Sequence, residues 1–332
     1  MFRTAIVGCG GIAQTHATYL SKMVKVNIVA VCDIIAERAE KLKNTNAQEA
    51  LVFDDYVKML DTVKPDVLHI CTPHYLHAEM AIAALKRDIN VVLEKPVCIN
   101  LTQVEELIRA EKESNAKICI SFQNRYLLRN KTAKELIDSG KAGNVKFASG
   151  SVLWHRNAAY YTESHWRGFM ATEGGGVMIN QAIHTLDLML WLCGEPEKLT
   201  AMTANYHLKG VIDVEDTASA YITFKNGANG MFYATTAHYT DAPISLEIVC
   251  ENMTLNLVND DLYMDGVKQI HYDTALDSAG KGYWGVGHMM LFSDYYSRLE
   301  RGEDMPISVE EASKALRVLL AMYESKGKEI NF

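Results

Sequence analysis

In the stretch VVLEKPVC, residues 91 to 98, two β-branched residues and Leu93 read as the end of a buried strand. Glu94, Lys95 and Pro96 then set opposite charges and a ring where the chain leaves the core. Ligands of an open parallel sheet bind beyond the carboxyl ends of its strands, and Pro96 biases Lys95 away from helical backbone angles. An ammonium held at such a tip can meet an oxygen that gains negative charge. A lysine paired with Glu94, or one escaping to water, gives the same sequence, so Lys95 alone leaves both readings standing. A second constellation favours chemistry. In EGGGVMINQAIHTLDLMLWLCG a triple glycine precedes an apolar helix on which Asn180, His184 and Asp187 recur at i, i+4 and i+7, a single stripe of one face. Lone histidines are usually satisfied core residues, but three polar groups on one greasy stripe need partners, and a pocket supplies them. His184 can accept a proton near neutral pH; the Asn180 amide can only orient.

After the first apolar run comes GCGGIA, with Gly8, Gly10 and Ala13 at the GxGxxG/A places and Gly11 and Ile12 between them. Gly8 allows a tight turn, Gly10 lets backbone approach a pyrophosphate at a helix N-terminus, and Ala13 lets helix and strand pack closely. Gly-rich turns are common, so the weight comes from context: Asp33 closes the second strand 20 residues after Ala13, where a carboxylate can accept hydrogen bonds from a ribose diol. A 2′-phosphate beside Asp33 would meet like-charge repulsion of about 1 to 4 kcal/mol, which favours NAD over NADP. Arg38 could blunt that repulsion only by turning inward from a charged helix.

These residues need a scaffold, and hydropathy supplies one. Up to about residue 120, short apolar runs (RTAIVG, VNIVAVCD, DVLHICT, INVVLE, KICISF) alternate with helical patterns, which predicts a doubly wound parallel sheet covered on both faces. Thr102 and Glu105 predict a capping box at one helix start. Beyond about 143 the runs alternate and are joined by Gly or Asn turns such as KNGANG, predicting a large open, mainly antiparallel sheet in an α+β domain. A helix from about 308 to 328 follows Pro306. The expected domains are 1–121 for the dinucleotide and 122–332 for substrate and oligomerisation.

A net charge of −8 with scattered Lys and Arg argues against nucleic acid as a partner. Seven cysteines, never in CxxC and mostly inside apolar runs, read as reduced core residues. The first apolar run is too short for a signal peptide, and no run approaches a membrane span; the expected location is the cytoplasm. An open sheet with one uncovered apolar face predicts a homodimer or homotetramer.

GCGGIA, CTPHYLH, EKP, WRG and GGGVMINQAIHTLDLMLWL, in this order and spacing, resemble the Gfo/Idh/MocA oxidoreductases over essentially the whole chain. The resemblance implies a Rossmann domain followed by a domain with a large open sheet, NAD(P), substrates that are sugars, sugar derivatives or cyclitols, and Lys95 with His184 as the catalytic pair. It gives Thr72, Pro73, His77, Glu94 and Lys95, together with Trp166 and Arg167, to the cofactor pocket. Many relatives carry Asp where Asn180 stands; the NQxIH variant resembles a subgroup acting on nucleotide-sugar uronates and other glycosides. On this reading Glu94 holds Lys95, and the nicotinamide charge and partial burial lower the lysine's pKa. A glycosidase using NAD for transient oxidation, or a regulator that binds NAD and sugar without turnover, would share these features.

Other positions are candidate substrate contacts. Asn124 and Arg125, in SFQNRY, follow a strand end, although Arg125 could equally serve as a structural tie. Trp154, Arg156 and Tyr160 lie in the aromatic-rich WHRNAAYYTESHWRGF, where rings can stack on sugar C–H surfaces or simply anchor a long loop. His288, in YWGVGH, can bond a hydroxyl or serve structure alone. His69, His74 and His77 lack an acid or cysteine nearby to complete a ligand set, so no metal is expected.

Overall fold

The computed structural model describes residues 1–269 and 286–332; Tyr283 to Gly285 of YWGVGH lie outside them. The chain forms two compact units: Met1–Gln123 with Asp277–Ser313, and Asn124–Leu276 with Lys314–Phe332. The contiguous 1–121 and 122–332 division thus needs correcting, because a late segment returns to the first unit.

The first unit holds β1 (Phe2–Val7), α1 (Gly11–Leu20), β2 (Val26–Cys32), α2 (Ala36–Asn46), β3 (Leu51–Phe53), α3 (Tyr56–Val63), β4 (Val67–Ile70), α4 (His77–Leu85), β5 (Asn90–Glu94), α5 (Leu101–Glu113) and β6 (Ile118–Ser121). The strands pair in parallel in the order β3-β2-β1-β4-β5-β6, so the order reverses at β1 and β4, the switch point at which doubly wound sheets bind ligands. Their Val, Ile, Leu and Ala side chains are nearly all buried, because helices cover both faces. Sequence periodicity misses β3, a three-residue edge strand with Leu51 exposed. The capping box is also displaced. Asn100, not Thr102, caps α5 by accepting from the Gln103 N–H, and the Gln103 side chain accepts from the Ile99 N–H.

The second unit begins with α6 (Leu128–Asp138), β7 (Val145–Leu153) and α7 (Ala158–Thr162), then a π turn (Met178–Ala182) running into α8 (Ile183–Cys193). Next come β8 (Pro196–Ala204), β9 (Thr217–Phe224), β10 (Asn229–Thr235), β11 (Ser245–Cys250), β12 (Thr254–Val258), β13 (Asp261–Met264) and β14 (Val267–Lys268). The chain continues with α9 (Gly287–Arg301) of the first unit, α10 (Val309–Ser325) and β15 (Glu329–Asn331). The nine strands are ordered β14-β13-β12-β11-β7-β10-β9-β8-β15 and antiparallel except for β7 with β10. Alternation along β7 to β10 buries Ala148, Val152, Ala201, Ala220, Phe232 and Ala234 on one face, where α8 packs on β7, and leaves Met202, Tyr221, Met231 and Tyr233 exposed on the other. All seven cysteines are buried thiols. Among the described residues no helix is long and apolar enough to cross a membrane.

Candidate active site

At the reversal point of the first unit, Gly8 adopts φ +81°, and a Cβ there would sit 2.7 Å from the Cys71 carbonyl. Only glycine fits this close approach to the turn after β4. Gly10 and Gly11 show the opposite: nothing lies within 4 Å of an added Cβ, so their glycines leave room for a ligand. No side chain caps the α1 N-terminus and no acid occupies its first turn, which suits a pyrophosphate. Ala13 is buried where helix meets strand, while Ile12 beside it is half-buried. Asp33 anchors the turn, accepting from the Cys9 N–H at 2.7 Å and the Ile35 N–H at 2.9 Å. Each carboxylate oxygen keeps a further lone pair for a ribose hydroxyl. Beyond β4, Thr72 and Pro73 are half-buried, and Thr72 Oγ1 has no hydrogen-bond partner among the described residues. An open helix end, an uncrowded glycine turn, an anchored acid and an orphaned hydroxyl together fit NAD.

From Val91 to Cys98 only Lys95 escapes full burial. Its neighbour Glu94 points into the unit. Glu94 Oε1 lies 2.9 Å from His16 Nε2 and 3.3 Å from His288 Nε2. His16 Nδ1 is 2.9 Å from His69 Nδ1, His69 Nε2 is 3.0 Å from the Tyr296 hydroxyl, and that hydroxyl is 2.9 Å from Thr4 Oγ1. The proton positions follow from counting. A Glu94 anion only accepts, so His16 donates from Nε2 and, when neutral, accepts at Nδ1. His69 must then donate from Nδ1 and accept from Tyr296, which accepts from Thr4. Burial lowers the pKa of His16 and of His69 and keeps both neutral. Burial alone would raise the Glu94 carboxyl; the two imidazole N–H groups outweigh it and hold Glu94 well below the carboxylate range. Among the described residues, His16 and His288 are thus hydrogen-bond partners of Glu94. His288 is 1% exposed and packs its ring nitrogen against Glu94.

The three donor atoms of His16, Glu94 and His288 lie within 4.8 Å of one another, a set with zinc-like chemistry, yet the hydrogen-bond chain already accounts for them. His77 is fully buried as well. Its Nδ1 faces the Pro96 carbonyl at 2.7 Å and its Nε2 the Thr72 carbonyl at 3.0 Å, which ties the turn after β4 to the turn after β5. Burial lowers its pKa although both carbonyls favour a second proton. His77 therefore braces the two turns against each other.

In the second unit, only Asn180 and His184 escape full burial between Glu173 and Leu190. The π turn at Met178–Ala182 carries an extra residue per turn, a feature found often at functional sites, and it brings Asn180 onto the acid Glu173. Glu173 is fully buried; it accepts from Asn180 Nδ2 at one oxygen and from the Gly168 N–H at the other. Asp187, the third member of the stripe, forms a buried two-point ion pair with Arg125 at 2.6 and 2.8 Å, and Arg125 also lies over Trp191. Both members of this pair belong to the second unit. Asn124 is half-buried, and its carbonyl accepts from Asn130 Nδ2. Glu215 secures the triple glycine: it accepts from the Gly176 and Met178 N–H groups at 2.9 Å and from the Tyr323 hydroxyl.

The aromatic-rich loop forms a ladder of alternating rings and guanidinium groups. Arg156 lies over Trp154 and Tyr160 at 4.9 and 5.4 Å, and Arg167 over Tyr160 and Trp166 at 4.8 and 4.9 Å. Asp241 tethers Arg156 at 3.0 Å. The Tyr160 hydroxyl accepts from Asn180 Nδ2 at 3.4 Å and Gln181 Nε2 at 3.2 Å, so the ladder joins the histidine helix at Asn180.

Residues 2–122 match the family model described as an oxidoreductase family with an NAD-binding Rossmann fold, and residues 130–256 match the GFO/IDH/MocA C-terminal domain. The chain belongs to the Gfo/Idh/MocA family. This member of it is thus an NAD(P)-dependent oxidoreductase, and its relatives include glucoside, inositol and levoglucosan dehydrogenases. D-glucoside 3-dehydrogenase of Escherichia coli is 28% identical over 68% of this chain and 67% of its own. Levoglucosan dehydrogenase of Pseudarthrobacter phenanthrenivorans is 24% identical over 92% and 88%. Among solved structures, the WlbA dehydrogenase of Bordetella pertussis in complex with NADH and UDP-GlcNAcA is 26% identical, covers 100% of this chain and 98% of its own, and superposes with a TM-score of 0.88.

The sequence reading of this Gfo/Idh/MocA chain overlooks Glu173, Glu215 and the His16–His69–Tyr296 chain. Some signal is present. Glu173 directly precedes the triple glycine, and His16 lies one turn after Ala13 on the helix that begins at the glycine motif. The contact of Tyr296 with Thr4 spans almost the whole chain and leaves no local trace.

Proposed function

We propose that the chain oxidises, reversibly, a secondary hydroxyl of a sugar, glycoside, nucleotide-sugar uronate or cyclitol. NAD, when bound, supplies the hydride acceptor. His184 takes the hydroxyl proton, Lys95 stabilises the negative charge that develops on the oxygen, and Asn180 orients the substrate. The ladder of Trp154, Arg156, Tyr160, Arg167 and Trp166 offers rings to sugar C–H faces and guanidinium groups to hydroxyls or a carboxylate. The observation that carries this reading is selective exposure: in two otherwise buried stretches the residues left open are Lys95 in one and Asn180 and His184 in the other. Complexes of similar dehydrogenases with NADH, one with UDP-GlcNAcA and one with levoglucosan, support the substrate range.

The test is formation of NADH from NAD, and of NADPH from NADP, with UDP-GlcNAcA, levoglucosan, D-glucosides and myo-inositol. Turnover with at least one of these and preference for NAD are expected. No reduced cofactor from any of them, or release of a glycoside's aglycone without net NADH, would overturn the reading. We further propose that a second copy of the chain covers the sheet face bearing Met202, Tyr221, Met231 and Tyr233. Light scattering should return a dimer or tetramer; a monomer at micromolar concentration contradicts it.

A further inference from the structure

We propose that Glu173 is a positioning residue that decides which side of the Asn180 amide, acceptor or donor, is turned toward the substrate. The proposal rests on the reading above that Asn180 lies beside the substrate hydroxyl.

The geometry leaves Glu173 two states with opposite consequences. As an anion it can only accept, so Asn180 must turn its NH2 group inward. Both amide hydrogens then have partners, one on Glu173 and the other on the Tyr160 hydroxyl, and the acceptor Oδ1 is the amide atom turned away from Glu173. When Glu173 carries a proton, the Gly168 N–H still requires an acceptor at Oε2. The proton therefore resides on Oε1 and is donated toward Asn180, which is satisfied by turning its own oxygen inward. The NH2 group then faces outward as a donor. A half-turn about the last side-chain bond is all that separates the two, since an amide is nearly the same shape either way round.

Both states are accessible near neutral pH. Burial raises the Glu173 carboxyl, against the Gly168 N–H, Asn180 and the Arg167 charge, to about 7, and the nearby Glu215 carboxylate adds to the rise. Among the described residues, the Tyr161 and Tyr323 phenols also sense Glu173, and Tyr160 meets it through Asn180. His184 follows Asn180 on the same helical stretch, so a group that must orient a hydroxyl for His184 is set from beneath. Glu173 also links two motifs that the sequence keeps apart: the Gly168 of WRG and the Asn180 of NQxIH. Gly168 adopts φ +84°, and a Cβ there would come within 2.7 Å of Ile212, so the N–H that orients the carboxyl is itself fixed in place.

Glu173→Gln imitates the protonated acid. The Gly168 N–H selects the glutamine oxygen, which leaves the glutamine NH2 to face Asn180 and forces the outward-donor state at every pH. The experiment uses the full chain labelled with 15N-asparagine, with the Asn180 side-chain resonance assigned by its loss in Asn180→Asp. In wild type that resonance should shift with a midpoint near pH 7, and in Glu173→Gln it should stay at the wild-type low-pH position. Absence of a wild-type transition between pH 6 and 8, or an unchanged transition in Glu173→Gln, overturns the proposal. A kinetic readout uses NAD with UDP-GlcNAcA and with levoglucosan. At pH 8 the KM of Glu173→Gln should move about fivefold, to the wild-type value at pH 6, with kcat following the same pH profile as wild type. A pH-8 KM equal to that of wild type counts against it. Failure of every sugar to reduce NAD would refute the proposed function, while the resonance titration, which needs no substrate, would still test the role of Glu173 independently.

Discussion

Each unit buries carboxyl groups beneath its open residues, but the two do so with opposite electrostatic results. Beneath Lys95, Glu94 is met by His16 and His288, and a chain of neutral donors stands behind His16. Beneath Asn180, Glu173 and Glu215 are met by amide N–H groups and a phenol, and Glu215 raises the cost of ionising Glu173. Glu94 is therefore held as an anion, whereas burial raises the pKa of Glu173 and Glu215. Burial alone does not set a carboxyl's charge: the donors facing it and the like charges nearby decide the sign.

Stability should then depend on pH in opposite directions. His16, His69 and His77 have folded pKa values below 6.5, so the unfolded chain binds more protons and stability is lost as pH falls below 6.5. Glu94, depressed below 4.5, adds a further loss at still lower pH. Glu173 is raised from 4.5 to about 7, so the folded chain binds the extra proton, and its contribution is lost as pH rises from 4.5 through 7.

The largest effect is expected where the second unit abandons neutral donors for a formal ion pair. Arg125→Ala strands the Asp187 carboxylate and should cost about 3 to 5 kcal/mol in urea unfolding; a loss under 1 kcal/mol would show that water reaches Asp187. Next, His16→Leu removes the principal donor to Glu94 and should cost about 3 kcal/mol at pH 7, while His16→Gln, which keeps an N–H at a similar reach, should recover part of it. Equal losses in the two variants would assign His16 to packing alone. Glu173→Gln should act in the opposite sense, stabilising the chain by about 2 to 3 kcal/mol at pH 8 relative to its effect at pH 5. A stability difference independent of pH would remove the contrast between the units. The smallest effect falls on the corrected helix start: Asn100→Ala should cost about 1 kcal/mol, and Thr102→Ala only a few tenths.

What the sequence makes legible follows from the range of the interactions. Gly8, Gly10, Ala13 and Asp33 can be placed at one turn from the sequence because strand, turn, helix and acid are contiguous, and the structure brings them together there. The polar stripe of the histidine helix is also visible, yet its members part company in the structure. Asp187 turns to Arg125, while Asn180 is shifted by a π turn that no 3.6-residue template contains. The capping box fails by local competition, since Asn100 with Gln103 offers the same chemistry one step earlier than Thr102 with Glu105. The meeting of Glu94 with His16 of α1 and His288 of α9 is hidden for a different reason: the two imidazoles come from the two ends of the first unit's sequence, and nothing in a window around any of the three residues shows that they meet.

Transient kinetics decides whether Lys95 and His184 do the chemistry. With NAD and the most active sugar of the panel, NADH formation in a single turnover should fall at least about a hundredfold in Lys95→Ala and in His184→Ala, with the His184 variant still binding NAD. Wild-type rates in either variant would contradict the assignment.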